Sequence, residues 1–346
     1  MAVNLAGGGA DLEVLVPEPA SRVRPWAWIG RSRWVTAGLI VFAVFVFLAI
    51  FGSTLAPYDP SALGPQVLAP PSAAHLLGTT QTGQDVLSQL LVGAGPTLEI
   101  GFLAGVVATA LSIIVGVSAG YYAGSGGELL SLLANVFLVI PGLPLLIVLT
   151  SYMPRASDWV IAIVLAVVGW AWGARVLRAQ TLALRQQDFV QAAKAAGESD
   201  LRIIFFEILP NEIAIVATSF VFTVIGAISF YVALCFLGIG NISTWTWGTM
   251  LYYAESNQAI TSGAWWWYVP PGIAVALILL ALVMLNFGID EFINPRLRAA
   301  GITRSELRSA SRQQGITPVL ANRPGRSPTA AAAAGADTIT SVRKTR

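Results

Sequence analysis

The sequence predicts an all-α integral membrane protein with six transmembrane helices and both termini in the cytoplasm. Three observations carry that reading. Hydrophobic residues make up 55% of the 346-residue chain and charged residues only 11%, whereas soluble domains carry about 25% charged residues. Six charge-poor stretches can each cross a hydrocarbon core, which takes about 20 apolar residues. Finally, 19 of the 20 Lys and Arg residues fall within three segments.

Residues 1–33 form a cytoplasmic N-terminal segment whose Arg22, Arg24, Arg31 and Arg33 suit a membrane surface. The first apolar run, 34–56, lacks the features of a cleavable signal and is expected to be an uncleaved anchor. An outer segment, 57–96, rich in Pro, Gly, Ser and Gln, leads to spans at 97–123 and 129–151. The fourth span, 158–177, is the shortest, because Asp158 and Arg175 enclose only sixteen uncharged residues. Its helix is expected to continue past the membrane. A polar connection precedes the fifth span, 213–238. A Trp-rich outer segment, 239–268, then leads to the sixth, 269–290. The transmembrane domain thus covers 34–298. The remainder, 299–346, is too poor in apolar residues to order itself and is expected to be a disordered cytoplasmic tail.

Charge sets the orientation. Segments 1–33, 175–212 and 294–346 hold four, five and ten basic residues, while 57–96 and 239–268 hold none. The positive-inside rule therefore puts the first three in the cytoplasm.

Several function classes are excluded. A single Cys and a single His rule out an intrachain disulfide and argue against a His/Cys metal site. A P-loop needs Gly before its Lys, but Lys194 and Lys344 follow Ala193 and Arg343. An intramembrane serine protease needs a base at depth, yet neither Lys lies in a span and His75 is in an outer segment. The absence of an internal repeat and the scarcity of intramembrane charge argue against a secondary transporter or channel, the alternative of another class. No cofactor and no nucleic-acid partner are expected.

The connection near 188–211 is the chain's most polar segment flanked by spans. "DFVQAAKAA" reads as a short helix with Asp188 favouring its N-terminus, Phe189 and Gln191 in its first turns, and small residues Ala192, Ala193, Ala195 and Ala196. Gly197 supplies a left-handed turn. "SDLRIIFFEIL" restarts the helix, with Ser199 as N-cap and Arg202 three residues on; Leu209 and Pro210 close it. Phe189, Ile203, Phe205 and Phe206 are expected to be apolar anchors. Two readings fit: a contact for another protein's backbone, or an amphipathic helix resting on headgroups.

At these residues the sequence resembles the permeases of binding-protein-dependent ABC importers. Their loop pattern is E-A-A-x₃-G followed, about nine residues on, by I-x-L-P. Gln191, Ala192, Ala193, Gly197, Leu209 and Pro210 fill matching places, with Gln191 for the acidic residue and Glu207 for the Ile. The similarity extends to the second permease subunit of the dipeptide/oligopeptide branch, from about residue 75 to 298. "LLGTTQTGQDVLSQLLVGA" resembles that branch's G-T-D-x-x-G-R-D-V motif, with Thr80 for its Asp and Gln84 for its Arg. "AGYYAG", "IPGLPLLIVL", "VGWAWGARVLRAQTLAL", "ALCFLGIG", "TWTWGTML", "AWWWYVPPG" and "NPRLR" follow in the family's order.

The resemblance implies a non-catalytic subunit with the ABC importer permease fold, forming half of a pore in the inner membrane. Implied partners are a homologous second permease, two ATPase subunits that bind ATP and Mg, an extracytoplasmic solute-binding protein, and the lipid bilayer. The 188–211 connection becomes the ATPase-coupling element. Short peptides are the first substrate expectation; oligosaccharides or another small solute are the alternative.

Other positions carry paired readings. Pro141, Gly142 and Pro144 interrupt the third span, as a tolerated kink or as a flexible point beside the translocation path. Glu99, at the mouth of the second span, would be costly in lipid and faces water, pore or interface. Trp245, Trp247 and Trp265 suit a membrane boundary or a docking face for the binding protein. Asp290, Glu291 and Arg296 read as an interfacial cluster, and Cys235 as a small buried residue.

Overall fold

The computed structural model describes residues 33–122, 124–153 and 157–293. The expected N-terminal basic segment before Arg33, the tail beyond 293 and the Asp290–Arg296 cluster lie outside the described residues or side chains. Among the described residues the protein is all-helical. Five helices are long and apolar enough to cross a membrane, six if a bent pair counts as one span.

Helix α1 covers Arg33–Leu55. Helix α2 runs from Val86 to Tyr121, 36 residues, or about 54 Å at 1.5 Å per residue. The sequence places this span at 97–123. The helix starts eleven residues earlier because Asp85 occupies the N-cap and accepts from the Ser88 amide, and Pro96 is carried inside. The extra turns pack against other parts of the protein: Val86, Ser88 and Gln89 are fully buried.

The third span is not one helix. Helix α3 (Ser125–Val139) and helix α4 (Gly142–Ser151) meet at 88°. Ile140 precedes Pro141, and a residue before proline is driven out of the helical region. Ile140 and Pro141 are accordingly extended, with ψ of 126° and 120°. Pro141 therefore breaks the span rather than merely kinking it.

Helix α5 (Asp158–Leu184) lies along α2 in the most extensive helix pair of the fold. Small residues permit the approach. A Cβ at Gly116 would sit 2.5 Å from the Ala174 carbonyl oxygen, and one at Gly173 2.7 Å from Ser112 Oγ. That hydroxyl donates across the pair to the Trp170 carbonyl at 2.6 Å.

The chain then forms α6 (Asp188–Ala195), α7 (Asp200–Arg202), a π-helical turn (Ile203–Ile208) and α8 (Leu209–Phe236). Helix α9 (Trp247–Ser256) is started by a capping box between Thr246 and Thr249. Helix α10 (Trp265–Ile293) carries Pro270 and Pro271 in its early turns. Helix α2 is the hub, contacting α5, α8 and α1. Apolar clusters form at both of its ends. One gathers Val86, Trp247, Met250 and Ile278; the other gathers Val117, Leu177, Val190 and Ile203.

Candidate functional site

The connection between α5 and α8 is a helical elbow. In α6, Asp188 sits in the first turn and Lys194 in the last, each complementing the helix dipole. Gly197 has φ of +81°. Its amide donates to the Lys194 carbonyl at 3.0 Å, and the Glu198 amide to the Ala193 carbonyl at 3.2 Å. This bond pair is a Schellman motif, which satisfies the last carbonyls of α6. The left-handed turn read from the sequence is present.

Two details differ from the sequence reading. Ser199 occupies the N-cap position of α7, but its side chain makes no capping bond. Pro210 does not stop the second helix: α7, the π turn and α8 form one continuous apolar element, Asp200–Phe236. In the π turn the Leu209 amide reaches the Ile204 carbonyl, five residues back. A regular helix would press the Pro210 ring against a carbonyl four residues earlier. The wider turn just before Pro210 eases that conflict.

The elbow is fastened to the end of α2. The Tyr121 hydroxyl donates to Asp200 Oδ1 at 2.7 Å, and Lys194 Nζ lies 4.8 Å from the centre of the Tyr121 ring. Arg185 Nη1 donates to the Gly120 and Tyr121 carbonyls at 3.2 and 3.3 Å, satisfying acceptors at the helix terminus. Gln191 Nε2 donates back to the Arg185 carbonyl at 2.8 Å. Beneath these bonds Val190, Ile203 and Ile208 are completely buried. Ile203, expected with Phe189, Phe205 and Phe206 as an apolar anchor, belongs to the core.

The opposite face is open. Asp188, Phe189, Gln191, Ala192, Ala196, Gly197, Ser199, Arg202 and Pro210 are exposed, and Ala193 and Leu209 are half-buried. Phe205 and Phe206 are 57% and 71% exposed. Arg202 pairs with Glu198 at 2.8 Å on this surface. A rigid bend thus presents small side chains flanked by aromatic rings.

The path candidates do not meet. Glu99 is the fourteenth residue of the lengthened α2, not at its mouth. It lines an otherwise mostly apolar cavity of about 420 Å³ with Ile50, Phe102, Ile228 and Leu282. A second cavity, of about 360 Å³, is lined by Ala104, Trp172, Gly226 and Phe230. Helical spacing puts the two on opposite sides of α2 and α8. Gly142, between Pro141 and Pro144, faces Phe230 of the second cavity.

The tryptophans separate by environment. Trp247 is only 1% exposed; its indole donates to the Leu90 carbonyl at 3.0 Å, and Phe45 meets it edge-on at 5.5 Å. It is a core residue, unavailable to a docking protein. Trp245 is half-buried and donates to Ser61 Oγ at 2.9 Å. Trp265 is 53% exposed while Trp267 is buried, and Trp266 between them donates to the Thr79 carbonyl at 3.2 Å.

Sequence reading missed the latch beside them. Asp85 Oδ1 bonds His75 Nδ1 at 2.9 Å, and Oδ2 accepts from the Ser88 amide and hydroxyl. Thr80, standing where the resembled motif has Asp, is 1% exposed and accepts from the Thr82 and Gln84 amides. An Asp followed by an apolar run is an N-cap signal that could have located the true start of α2.

Comparison with known proteins agrees with this architecture. Residues 112–299 match the family described as binding-protein-dependent transport system inner membrane component. Residues 26–71 match the N-terminal TM domain of oligopeptide transport permease C. The chain is 32% identical over 300 residues to the di/tripeptide transport system permease protein DppC of Pseudomonas aeruginosa, covering 84% of this chain and 97% of that protein. It is 31% identical over 278 residues to the dipeptide transport system permease protein DppC of Bacillus subtilis, covering 79% and 85%. It is 29% identical over 251 residues to the oligopeptide transport system permease protein OppC of Lactococcus lactis, covering 72% and 85%. A family match over residues 112–299, elbow included, together with a relative 32% identical over 84% of the chain, makes this chain a multi-pass inner-membrane permease of the binding-protein-dependent transport family.

Proposed function

We propose that this chain forms half of the translocation pore of an ATP-driven importer of di- or oligopeptides, with the Asp188–Pro210 elbow as its coupling element. The supporting observation is the elbow itself, a rigid bend with an exposed Ala-rich face whose second arm continues directly into α8. Two ATPase subunits would bind ATP and Mg and receive this face in the cytoplasm. A homologous permease would complete the pore, and a solute-binding protein would deliver substrate from outside. Peptide as substrate is supported by the relatives' names and by their coverage of this chain.

The mechanism follows from connectivity. A push on α6 or Gly197 is not absorbed by a loose loop, because Tyr121, Arg185 and the buried Val190 and Ile203 tie the elbow to α2 and α5. It passes through the π turn into α8, and α8 borders both intramembrane cavities. Displacing α8 against α2 would change both together.

The test is ATP hydrolysis and uptake of a labelled dipeptide by the reconstituted importer, with and without loaded binding protein. Stimulation of hydrolysis is expected to fall when Ala193 is replaced by Glu, which places a charge at a close contact. Because Ala193 also packs against the elbow's own core, Ala192→Glu on the exposed face should lower it too without disturbing that core. Gln191→Glu should be tolerated. Unaltered coupling in Ala193→Glu would remove the elbow from the ATPase contact, and uptake of sugars but not peptides would overturn the substrate assignment.

A further inference from the structure

A small cavity between α2, α3 and α5 is chemically unlike the two larger ones. It measures about 160 Å³ and is lined by Ser131 and Asn135 of α3, Arg175 and Arg178 of α5, and small residues including Gly116 and Ala134. Among the described residues, none of these four polar side chains has a hydrogen-bond or ion-pair partner. Arg178 Nε is buried and unsatisfied. Arg175 is exposed and Arg178 half-buried, so one guanidinium stands at the opening and the other deeper.

A buried guanidinium nitrogen without a partner, as Arg178 Nε is, is costly, and Arg175 beside it adds a second positive charge. The geometry points to an anionic ligand: we propose that Ser131, Asn135, Arg175 and Arg178 hold the headgroup phosphate of an anionic phospholipid. The cavity has room for roughly five waters at 30 Å³ each, enough for a tetrahedral phosphate. Arginine forks suit phosphate oxygens, and the hydroxyl and amide add neutral donors.

Position selects a lipid over a free anion. Arg175 and Arg178 precede the end of α5 by nine and six residues, about 14 and 9 Å, and they bracket residue 177, where the sequence ends the fourth span, so they suit the headgroup level. Beside Ser131 and Asn135, the outer face of α3 exposes Leu129, Leu132 and Val136 at 66%, 59% and 48%. Acyl chains can lie along that strip while the phosphate enters the cavity. Basic pockets between spans bind anionic headgroups in this way. The site is independent of the elbow's role and of the cargo.

The test titrates phosphatidylglycerol or phosphatidylcholine into the delipidated full-length chain, purified with its co-purifying subunits, and counts bound lipid by native mass spectrometry. The intact protein should prefer phosphatidylglycerol. Arg178→Gln should weaken that preference on the order of tenfold. Asn135→Asp keeps both arginines but introduces a competing carboxylate, and should abolish the preference without unfolding the protein. Arg178→Lys should retain part of it. The proposal is overturned if the intact protein shows no preference, or if Asn135→Asp binds phosphatidylglycerol normally. It is also overturned if inorganic phosphate alone displaces the lipid, which would make the site one for a free oxyanion. A preference seen in the separated chain but lost in the complex would assign the arginines to a partner's carboxylate, and equally sinks it.

Discussion

Tyr121, the last residue of α2, donates its hydroxyl to the carboxylate of Asp200, the first residue of α7, at 2.7 Å. The two stand 79 residues apart in the chain, so this bond is a tertiary fastening of the elbow to the hub helix. A hydrogen bond to a charged group contributes about 1.5–3 kcal/mol, less where one partner is exposed, as Asp200 is. Tyr121→Phe should therefore loosen the elbow by about 1 kcal/mol without affecting membrane insertion. Hydrogen exchange at amides 186–200 should accelerate severalfold. Unchanged exchange would mean that buried Val190 and Ile203 hold the elbow alone.

Gly197 offers a cleaner probe, because a Cβ there would meet nothing within 4 Å. Within this chain any effect of substitution is then backbone strain and not a clash, and the comparison of Asn with Val, which differ in their tolerance of this φ, separates strain from added bulk at a partner's surface. Gly197→Val should cost about 1–3 kcal/mol at φ of +81°, misplacing α6 against α7. Gly197→Asn, which tolerates the left-handed region, should be milder. Substrate-stimulated ATP hydrolysis should fall in the order Gly, Asn, Val while the variants still insert. Equal activity in all three would show that the bend is irrelevant to coupling.

The α2–α5 seam makes the opposite prediction, one of sterics. At Gly116 a side chain would run into the Ala174 backbone, so Gly116→Val should destabilise the protein by about 1–3 kcal/mol. Gly126, in α3, has open space around its Cβ. Gly126→Ala should be neutral or stabilising by up to about 1 kcal/mol. Thermal unfolding in detergent compares the two, and similar losses at both would contradict the packing described.

Asp85 both caps α2 and holds His75. Asp85→Ala should cost about 0.5–2 kcal/mol and make the 57–85 segment more sensitive to protease. Asp85→Asn keeps an acceptor for the Ser88 amide and should be milder. A protease pattern identical in all three proteins would show that Trp245 and Trp266 secure the segment without the latch.

Topology rests on charge, so it needs a direct measurement. With Cys235 replaced, Cys introduced at Gln66 or Ser256 should react with an impermeant thiol reagent from outside intact cells. Cys at Ser199 should not. All three positions are exposed in this chain by itself, so labelling of position 199 after permeabilisation and removal of the ATPase subunits separates sidedness from cover by a partner. Outside labelling of position 199 would reverse the proposed orientation.

Features that depend on local chemistry and on the solvent were readable in one dimension. Long charge-poor runs have no stable place outside a membrane, so the existence and order of the spans were legible. Gly197 was readable because only glycine takes its turn without strain, and the break at Pro141 was half-readable because proline excludes its predecessor from a helix. The tertiary structure decided what depends on partners distant in the chain. Trp247 could have faced solvent or core; the Leu90 carbonyl and the Phe45 ring drew its indole inside. Pro210 looked terminal until a π turn accommodated it. The start of α2 lay upstream of Pro96 because Asp85 capped it and other elements covered its first turns. That Arg175 and Arg178 have no counter-charge among the described residues was likewise invisible in one dimension, since it is a property of every element packed around a side chain and not of its own helix.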